Sequence, residues 1–213
     1  MGLFNAFRNK KSNAPGFDAI TNKCEEVYPG QIDPKRYGTI ISWEMGGKDP
    51  LKSIAIYDGG EYWHFVTYGL SDLYKKTTKN KDLSGYGMEF TLKLKKLKSE
   101  NEELEIKCIC GVLQHIARIT FEQGEIFKPN EYIYTGQKEG IDYNSKSNIT
   151  GFITKLDDKL GEIDTINGKV IFVEFTGVTD KELKQILDNK LTVKELYEKL
   201  GTDITSYNRE TVA

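Results

Sequence analysis

The chain has 213 residues, with 30 basic and 32 acidic side chains that leave a net charge of −2. This near balance argues against a strongly basic nucleic-acid-binding protein. Hydrophobic residues make up 38% of the chain, including 12 Tyr and 10 Phe, which is enough to bury a sizeable core and excludes wholesale disorder. Three cysteines without a secretory signal argue against a disulfide scaffold and predict a cytoplasmic protein.

Residues 1–15 are predicted to form a lead-in and linker before the domain proper. Leu3, Phe4 and Phe7 fall on one side of a short helical segment, and the polar run that follows ends at Pro15-Gly16. We expect this segment to pack on the domain or to fray rather than to anchor in a membrane. Because no run approaches the roughly 18 apolar residues of a spanning helix, no contact with membranes is expected.

The first half of the chain reads as one helix followed by strands. Apolar residues recur at helical spacing from Phe17 to Val27 and stop before Pro29-Gly30. Runs rich in β-branched and aromatic residues then follow, separated by glycine turns, and predict a largely antiparallel sheet. The predicted strands are residues 39–43, 53–57, 61–68 and 87–97. In the last strand Phe90, Leu92 and Leu94 alternate with polar residues, which predicts a half-buried strand with a basic outer face at Thr91, Lys93 and Lys95.

The second half begins with a long helix. Ser99 and Glu102 form a capping-box pattern, and apolar residues keep a 3.6-residue period over 101–122. An extended loop over 125–147 with a short strand at 132–134 is expected next. Asn167-Gly168 predicts a β-hairpin between 164–166 and 169–175. Further capping boxes begin at Thr179 and Thr192, and Gly201 ends the last helix. The fold class is therefore α+β, a mixed, largely antiparallel sheet with packed helices: a domain over 16–201 and a loose tail over 202–213.

Catalytic and metal-binding patterns are weak. Cys108 and Cys110 point in different directions on a helix, so buried small hydrophobes are the better account of them, and neither a metal nor a cofactor is expected. His64 lies inside a strand pattern, where a neutral ring bonded to a neighbouring loop is the common outcome. The adjacent acids Asp157-Asp158 are typical of solvated loops. A hydrolase or transferase using His64 with Asp72 or Glu89 is kept as the least favoured hypothesis.

Lysines are concentrated in the N-terminal half. Lys75, Lys76, Lys79 and Lys81 stand close together in the chain, ahead of the lysines of the 87–97 strand. Contact with an acidic protein surface, or simple solvation, is favoured over phosphate binding because acids elsewhere balance the charge.

Two segments carry a resemblance to a known family. Residues 63–74 read WHFVTYGLSDLY and residues 84–94 read SGYGMEFTLKL, in an order and spacing not expected by chance. They resemble the suppressor-of-fused domain family, over roughly residues 16–187. Nothing matches the second domain of the animal proteins, so the chain is similar to single-domain bacterial members.

The resemblance implies protein binding rather than catalysis. Animal members of the family sequester a transcription factor by gripping an extended peptide, and bacterial single-domain members are associated with polymorphic toxins as immunity proteins. We therefore predict a toxin-neutralising immunity protein or, as the alternative, a cytosolic regulatory adaptor that binds an extended peptide. The oligomeric state is left open.

Five residues of the matched segments are candidate partner-binding residues. Asp72 is expected to cap a short helix or to project a charge toward a partner, and by resemblance its motif belongs to the peptide-gripping region. Glu89 is expected to project a charge as well. Strand alternation sends Trp63 and Phe65 to one face and His64 and Val66 to the other. The five candidates are Trp63, His64, Tyr68, Asp72 and Glu89.

Overall fold

The computed structural model describes residues 13–97 and 100–213 and contains four α-helices and nine strands there. The helices are α1 (Pro15–Val27), α2 (Glu102–Gln123), α3 (Asp180–Leu187) and α4 (Val193–Leu200). The strands are β1 (Lys35–Gly38), β2 (Ser53–Asp58), β3 (Tyr62–Tyr68), β4 (Leu83–Lys95), β5 (Tyr132–Ile133), β6 (Ile149–Leu156), β7 (Glu162–Thr165), β8 (Gly168–Thr179) and β9 (Ile204–Thr205).

All nine strands join one sheet, in the order β1-β2-β3-β4-β8-β6-β5, with β7 paired to β8 and β9 paired to β4. Strands β1 to β4 form an antiparallel meander. β4 then pairs in parallel with β8 and with β9, while the remaining pairs are antiparallel. The predicted α+β fold with a mixed, largely antiparallel sheet is confirmed.

The helices cover both faces of the sheet. α2 packs on one face against Phe65 and Phe90, and α1 packs on the other against Val66 and Tyr68. α3 and α4 form a third apolar cluster with β6 and β8. The two faces of β3 are as predicted, with Trp63 and Phe65 on the α2 side.

Local signals in the sequence predicted several elements correctly. α1, α2 and the hairpin at Asn167-Gly168 form where expected. Both later capping boxes are complete. The side chains of Thr179 and Thr192 accept from the backbone N–H groups of Glu182 and Glu195, and these glutamates accept in return from the threonine N–H groups. No helix within residues 13–97 and 100–213 has the length and apolar character needed to cross a bilayer. The predicted apolar lead-in at 1–12 lies outside the described residues.

One predicted strand is wrong and one observed strand was not predicted. Residues 39–43 form no strand: β1 lies earlier, and Trp43–Met45 is a short 3-10 turn that ends at Gly46. Ile40 and Ile41 are β-branched, which favours a strand, yet their side chains are exposed and no strand among the described residues pairs with this segment. β6 was not predicted, and it pairs with β8 over seven residues.

The predicted basic outer face of β4 is exposed only at Lys95 and is wrong for Thr91 and Lys93. Thr91 is fully buried and Lys93 is 2% exposed, because the loop after β6 and residues 202–205 cover that face. The Lys93 ammonium lies 3.0 Å from Glu174 Oε2 and 2.7 Å from Asp203 Oδ2. A central strand covered on both sides therefore keeps its alternation but places its polar residues in a buried ionic cluster.

The loose tail expected over 202–213 is instead packed on the domain. β9 pairs with β4, and the ring of Tyr207 is buried in the main core. Arg209 donates from both terminal nitrogens to the buried carboxylate of Glu182, at 2.5 and 2.6 Å. Because bidentate arginine–carboxylate pairs are geometrically specific, this contact holds the tail in place.

Candidate functional site

A groove opens on the surface where β3 ends and the chain crosses toward β4. It encloses about 460 Å³ and is open to solvent on one side. Its floor is the segment 69–75, which contains the Gly-Leu-Ser-Asp-Leu-Tyr motif. The remaining walls come from residues 77–78 and 85–86, from Phe121 of α2, and from Glu44, Pro50 and Lys52.

Glu89 of β4 holds the beginning of the motif segment. Its Oε1 accepts from the Gly69 N–H and the Ser71 N–H, both at 2.9 Å, and from the Ser71 hydroxyl at 2.6 Å. Its Oε2 accepts from the Thr67 hydroxyl at 2.7 Å. Complete burial raises the pKa of Glu89 although these four donors favour the charged form. The carboxylate therefore fixes the floor of the groove from below and does not point toward a partner.

Asp72 holds the far side of the same segment. Its carboxylate accepts from the Thr77 hydroxyl at 2.5 Å and from the Gly85 N–H at 2.9 Å, and it caps no helix. Its backbone carbonyl accepts from the Asn167 side chain at 2.6 Å. Burial opposes ionisation, but the bonds from Thr77 and Gly85 outweigh it and lower the pKa of Asp72. Asp72 is 7% exposed, so its carboxylate is held by these donors, and its role in binding a partner stays a prediction.

Glycine is required where the motif segment meets the start of β4. Gly85 has φ +58, in the left-handed region, and a Cβ built there would lie 2.5 Å from the Leu70 carbonyl oxygen. A side chain would therefore be strained and would also displace the floor of the groove. This close approach explains the first glycine of the SGYG motif.

The groove wall that faces solvent is aromatic. Tyr86 and Phe121 lie with ring centroids 5.2 Å apart, and Trp43 meets Phe121 edge-on at 5.7 Å. Tyr74 is 56% exposed at the rim. The loop 40–45 continues this surface with further exposed apolar side chains, among them Met45 at 80%. Exposed aromatic and methionine side chains next to a concave surface are typical of protein-binding sites.

His64 lies away from the groove and is fully buried. The Tyr28 hydroxyl lies 2.6 Å from Nδ1, and Asp157 Oδ2 lies 2.9 Å from Nε2, a close electrostatic contact without hydrogen-bond alignment. The prediction of a ring bonded to a neighbouring loop is confirmed by the bond to Tyr28, which lies in the loop after α1. Desolvation lowers the pKa of His64, so a neutral ring that accepts from Tyr28 fits both neighbours.

Asp157 is the buried acid that sequence reasoning placed on a solvated loop. Its carboxylate accepts from the Thr91 hydroxyl and from the backbone N–H groups of Lys159 and Leu160, each at 2.8 Å. Burial opposes ionisation, but His64, the charge of Lys93 and the Leu160 N–H hold the pKa of Asp157 well below its usual range. His64 thus pairs with Asp157 and not with Asp72 or Glu89, so the geometry imagined for a hydrolase is absent from the described residues.

The last two candidate residues also have structural surroundings. Tyr68 is fully buried beneath α1, with its ring 4.7 Å from that of Phe17 and the Arg36 guanidinium 4.7 Å from its centroid. Trp63 is half-buried at the opposite end of β3 from the groove, with the Lys96 ammonium 4.2 Å from its ring centroid. The structure therefore brings Asp72 and Glu89 together beneath the groove and leaves His64, Tyr68 and Trp63 elsewhere.

The aromatic residues of the groove wall were not among the five candidates. Tyr86 lies inside the SGYG motif and Phe121 near the end of α2, yet nothing in their spacing indicates that they meet. The cysteines are packed rather than exposed: Cys110 is in the main core, and the Cys108 thiol contacts the Ile141 carbonyl at 3.1 Å. Within the described ranges no group of three His, Cys, Asp or Glu side chains is arranged to hold a metal ion.

Comparisons with known proteins agree with this architecture. The human and mouse proteins named Suppressor of fused homolog are each 29% identical over 181 residues, which is 79% of this chain and 36% of theirs. The chain thus spans about a third of the length of these curated relatives.

Solved structures of suppressor of fused proteins are similar to this chain as well. A structure described as "the Sufu-Fu complex crystal structure" superposes with a TM-score of 0.79 at 26% identity, covering 94% of this chain and 93% of that one. Drosophila Suppressor of Fused gives 0.78 at 27% identity, covering 94% of this chain and 52% of that one. A family model described as Suppressor of fused protein (SUFU) matches residues 47–210. The chain belongs to the suppressor of fused family.

Proposed function

We propose that this chain is a non-enzymatic protein-binding domain whose partner docks at the groove. The observation that carries the proposal is the pair of buried carboxylates beneath it. Glu89 accepts from the Gly69 and Ser71 N–H groups of the motif segment, and Asp72, inside that segment, accepts from Thr77 and from the Gly85 N–H. The two carboxylates thus rigidify the surface above them instead of supplying chemistry. A preformed groove with half-buried Tyr86 and Phe121 in its wall and exposed Tyr74 at its rim binds protein at a low cost in ordering.

A solved relative supports binding of a protein partner. That structure is described as a complex of Sufu with Fu. The similarity covers nearly all of both chains, which supports a protein partner for this chain as well.

The most concrete form of the function is a cytoplasmic immunity protein that neutralises a cognate bacterial toxin. This proposal is supported by the resemblance to single-domain bacterial members of the family. Such a complex would require a folded interface of about 1,600 Å² in total, larger than the groove alone. The exposed loop 40–45 beside the groove supplies additional apolar surface for it.

Coexpression with the product of a neighbouring toxin gene, followed by affinity capture, tests the proposal. We expect a stable complex and protection of the cells. The double variant Tyr74→Ala/Met45→Ala should weaken that complex at least tenfold, because exposed tyrosines at interface centres contribute about 2 kcal/mol. The matched control Leu187→Ala/Ile166→Ala removes exposed apolar side chains elsewhere and should leave binding unchanged. Failure to find any partner or any protection would refute the immunity function.

A regulatory adaptor that binds an extended peptide is the second candidate. The edge strand β1 favours it, because within the described part of the chain β1 pairs with β2 alone and its other edge is open to strand addition. An adaptor of this kind binds a short synthetic segment of its partner as tightly as the whole partner. A toxin inhibitor loses most of its affinity when the partner is reduced to a peptide.

A further inference from the structure

A lysine-rich loop follows the floor of the groove and forms one side of its rim. Residues 75–81 contain four lysines, and Lys75 lines the groove directly. Lys75, Lys79 and Lys81 are exposed, and none has a carboxylate within ion-pair distance among residues 13–97 and 100–213. Lys79 and Lys81 follow Lys75 on the same loop without lining the groove themselves, and we call the three residues the rim lysines.

The rim lysines are held in place by their neighbours. The Lys76 ammonium donates to the Leu83 carbonyl at 2.6 Å and to the Asn167 carbonyl at 2.7 Å, which ties the loop to the hairpin between β7 and β8. Thr77 donates from its hydroxyl to the Asp72 carboxylate, as described above. The positive charges are thus presented on an anchored loop beside the groove.

The carboxylates near the groove do not neutralise these lysines. Asp72 and Glu89 point inward and accept from backbone and hydroxyl groups. Glu44 on the opposite rim is already paired with Lys52 at 2.6 Å. The rim therefore carries three exposed lysines without an ion-pair partner in the described part of the chain, next to a wall that contains Tyr86 and Phe121.

We infer that the groove takes an acidic segment of a partner protein, with an apolar side chain against Tyr74, Tyr86 and Phe121 and flanking Asp or Glu side chains against the rim lysines. This inference rests on the proposed function and names the chemistry of its partner. Complementary charge at a rim sets the orientation and the rate of association, while the apolar anchor supplies most of the affinity. A protein segment is favoured over nucleic acid because the groove walls are apolar and the whole chain carries a net charge of −2.

A displayed peptide library tests the inference without knowledge of the natural partner. The library carries a fixed central Phe with random residues on both sides and is selected against the purified full chain. We expect enriched peptides to carry Asp or Glu within about five residues of the Phe, the reach of an extended segment along the loop. The best peptide is then synthesised with a fluorophore, and its affinity is measured by anisotropy.

Charge-reversal variants give the matched comparison. Lys75→Glu/Lys79→Glu/Lys81→Glu should weaken the peptide about tenfold or more, since three exposed pairs are lost and three repulsions replace them. Lys181→Glu/Lys194→Glu/Lys199→Glu makes the same change in net charge on α3 and α4 and should alter the affinity less than about twofold. Wild-type affinity should also fall as salt rises from about 0.05 to about 0.5 M, because exposed pairs are screened.

Several outcomes overturn the inference. Enrichment of neutral or basic flanks, equal effects of the two triple variants, or no enrichment at all would each refute an acidic segment. Displacement of the peptide by a single-stranded oligonucleotide at equal concentration would assign the lysines to nucleic acid instead. These results leave the capture experiment with Tyr74→Ala/Met45→Ala intact, so failure of the acidic segment is distinguishable from failure of protein binding at the groove.

Discussion

Replacement of Lys93 by methionine is expected to destabilise the domain by about 3–5 kcal/mol, the usual cost of removing one partner of a buried ion pair. The side chain of Lys93 is 3% exposed and that of Glu174 is fully buried, so water cannot replace the ammonium. Methionine fills a similar volume, so the loss reports the uncompensated carboxylate and not a cavity. Loss of the Lys93 ammonium is especially unfavourable for Glu174, since its Oε1 already has no hydrogen-bond partner among the described residues.

The assay is urea unfolding followed by circular dichroism. At an m-value of about 2 kcal/mol/M, the midpoint should fall by about 1.5–2.5 M with the slope unchanged. The difference in unfolding free energy between Lys93→Met and the wild type should become smaller as pH falls from 8 to 5. Burial raises the pKa of Glu174 well above its ordinary value, and without Lys93 it rises further. A raised carboxyl pKa stabilises the fold at low pH, and this contribution is lost as pH rises through the folded-state value.

The double variant Lys93→Met/Glu174→Leu distinguishes the charge from the packing. Removing the charges of both Lys93 and Glu174 should restore stability to within about 1–2 kcal/mol of the wild type, because apolar replacement of a buried ion pair often leaves stability unchanged. A Lys93→Met variant within about 1 kcal/mol of the wild type would refute the reasoning, and so would a double variant no better than the single one.

Three further predictions concern other parts of the structure. Arg209→Gln should lower the free energy of unfolding by about 2–4 kcal/mol and expose residues 202–213 to limited proteolysis. Burial opposes ionisation of Glu182, but Arg209 lowers the pKa of its carboxyl. The stabilisation by this ion pair is therefore present above about pH 4.5 and is lost as pH falls through the folded-state pKa, a pH dependence that the variant should lack. An unchanged cleavage pattern would contradict a packed tail. Gly85→Ala should destabilise by about 2–4 kcal/mol and abolish partner capture, whereas the same change at Gly111, where an added Cβ meets nothing, serves as control. Burial raises the pKa of Cys24 to about 11, so a thiol reagent at pH 8 should label it far more slowly in native protein than in urea.

Elements with a local cause were predictable from the sequence. The Asn167-Gly168 hairpin and the capping boxes at Thr179 and Thr192 depend on residues within a few positions of one another, and each forms as expected. The predicted alternation of apolar and polar residues along β4 is also confirmed, since Phe90, Leu92 and Leu94 all lie in the main core. Periodicity shows which residues share a face but not what covers that face, and the loop and tail that bury Lys93 come from distant parts of the chain.

The candidate site was predicted as a segment but not as a set of contacts. The matched motifs do line and support the groove, yet the charges within them turn inward because backbone N–H groups nearby need acceptors. The partner of His64 is Asp157, which lies beyond β6 and shares no sequence pattern with it. Phe121 reaches the groove from a helix through tertiary packing alone. Such pairings depend on topology, which residue spacing does not encode.

The parallel pairing of β4 with β8 has a consequence for how the chain folds. Lys93 meets Glu174 across 81 residues and Asp203 across 110, whereas β1 to β4 pair with sequence neighbours. Closing such long loops is entropically slow, so we expect the meander and α1 to form first and β8 to dock later. Until then one edge of β4, with Phe90 and Leu92, is open to pairing with other chains. During synthesis this edge stays unprotected until β8 has left the ribosome, which makes it the point where aggregation competes with folding.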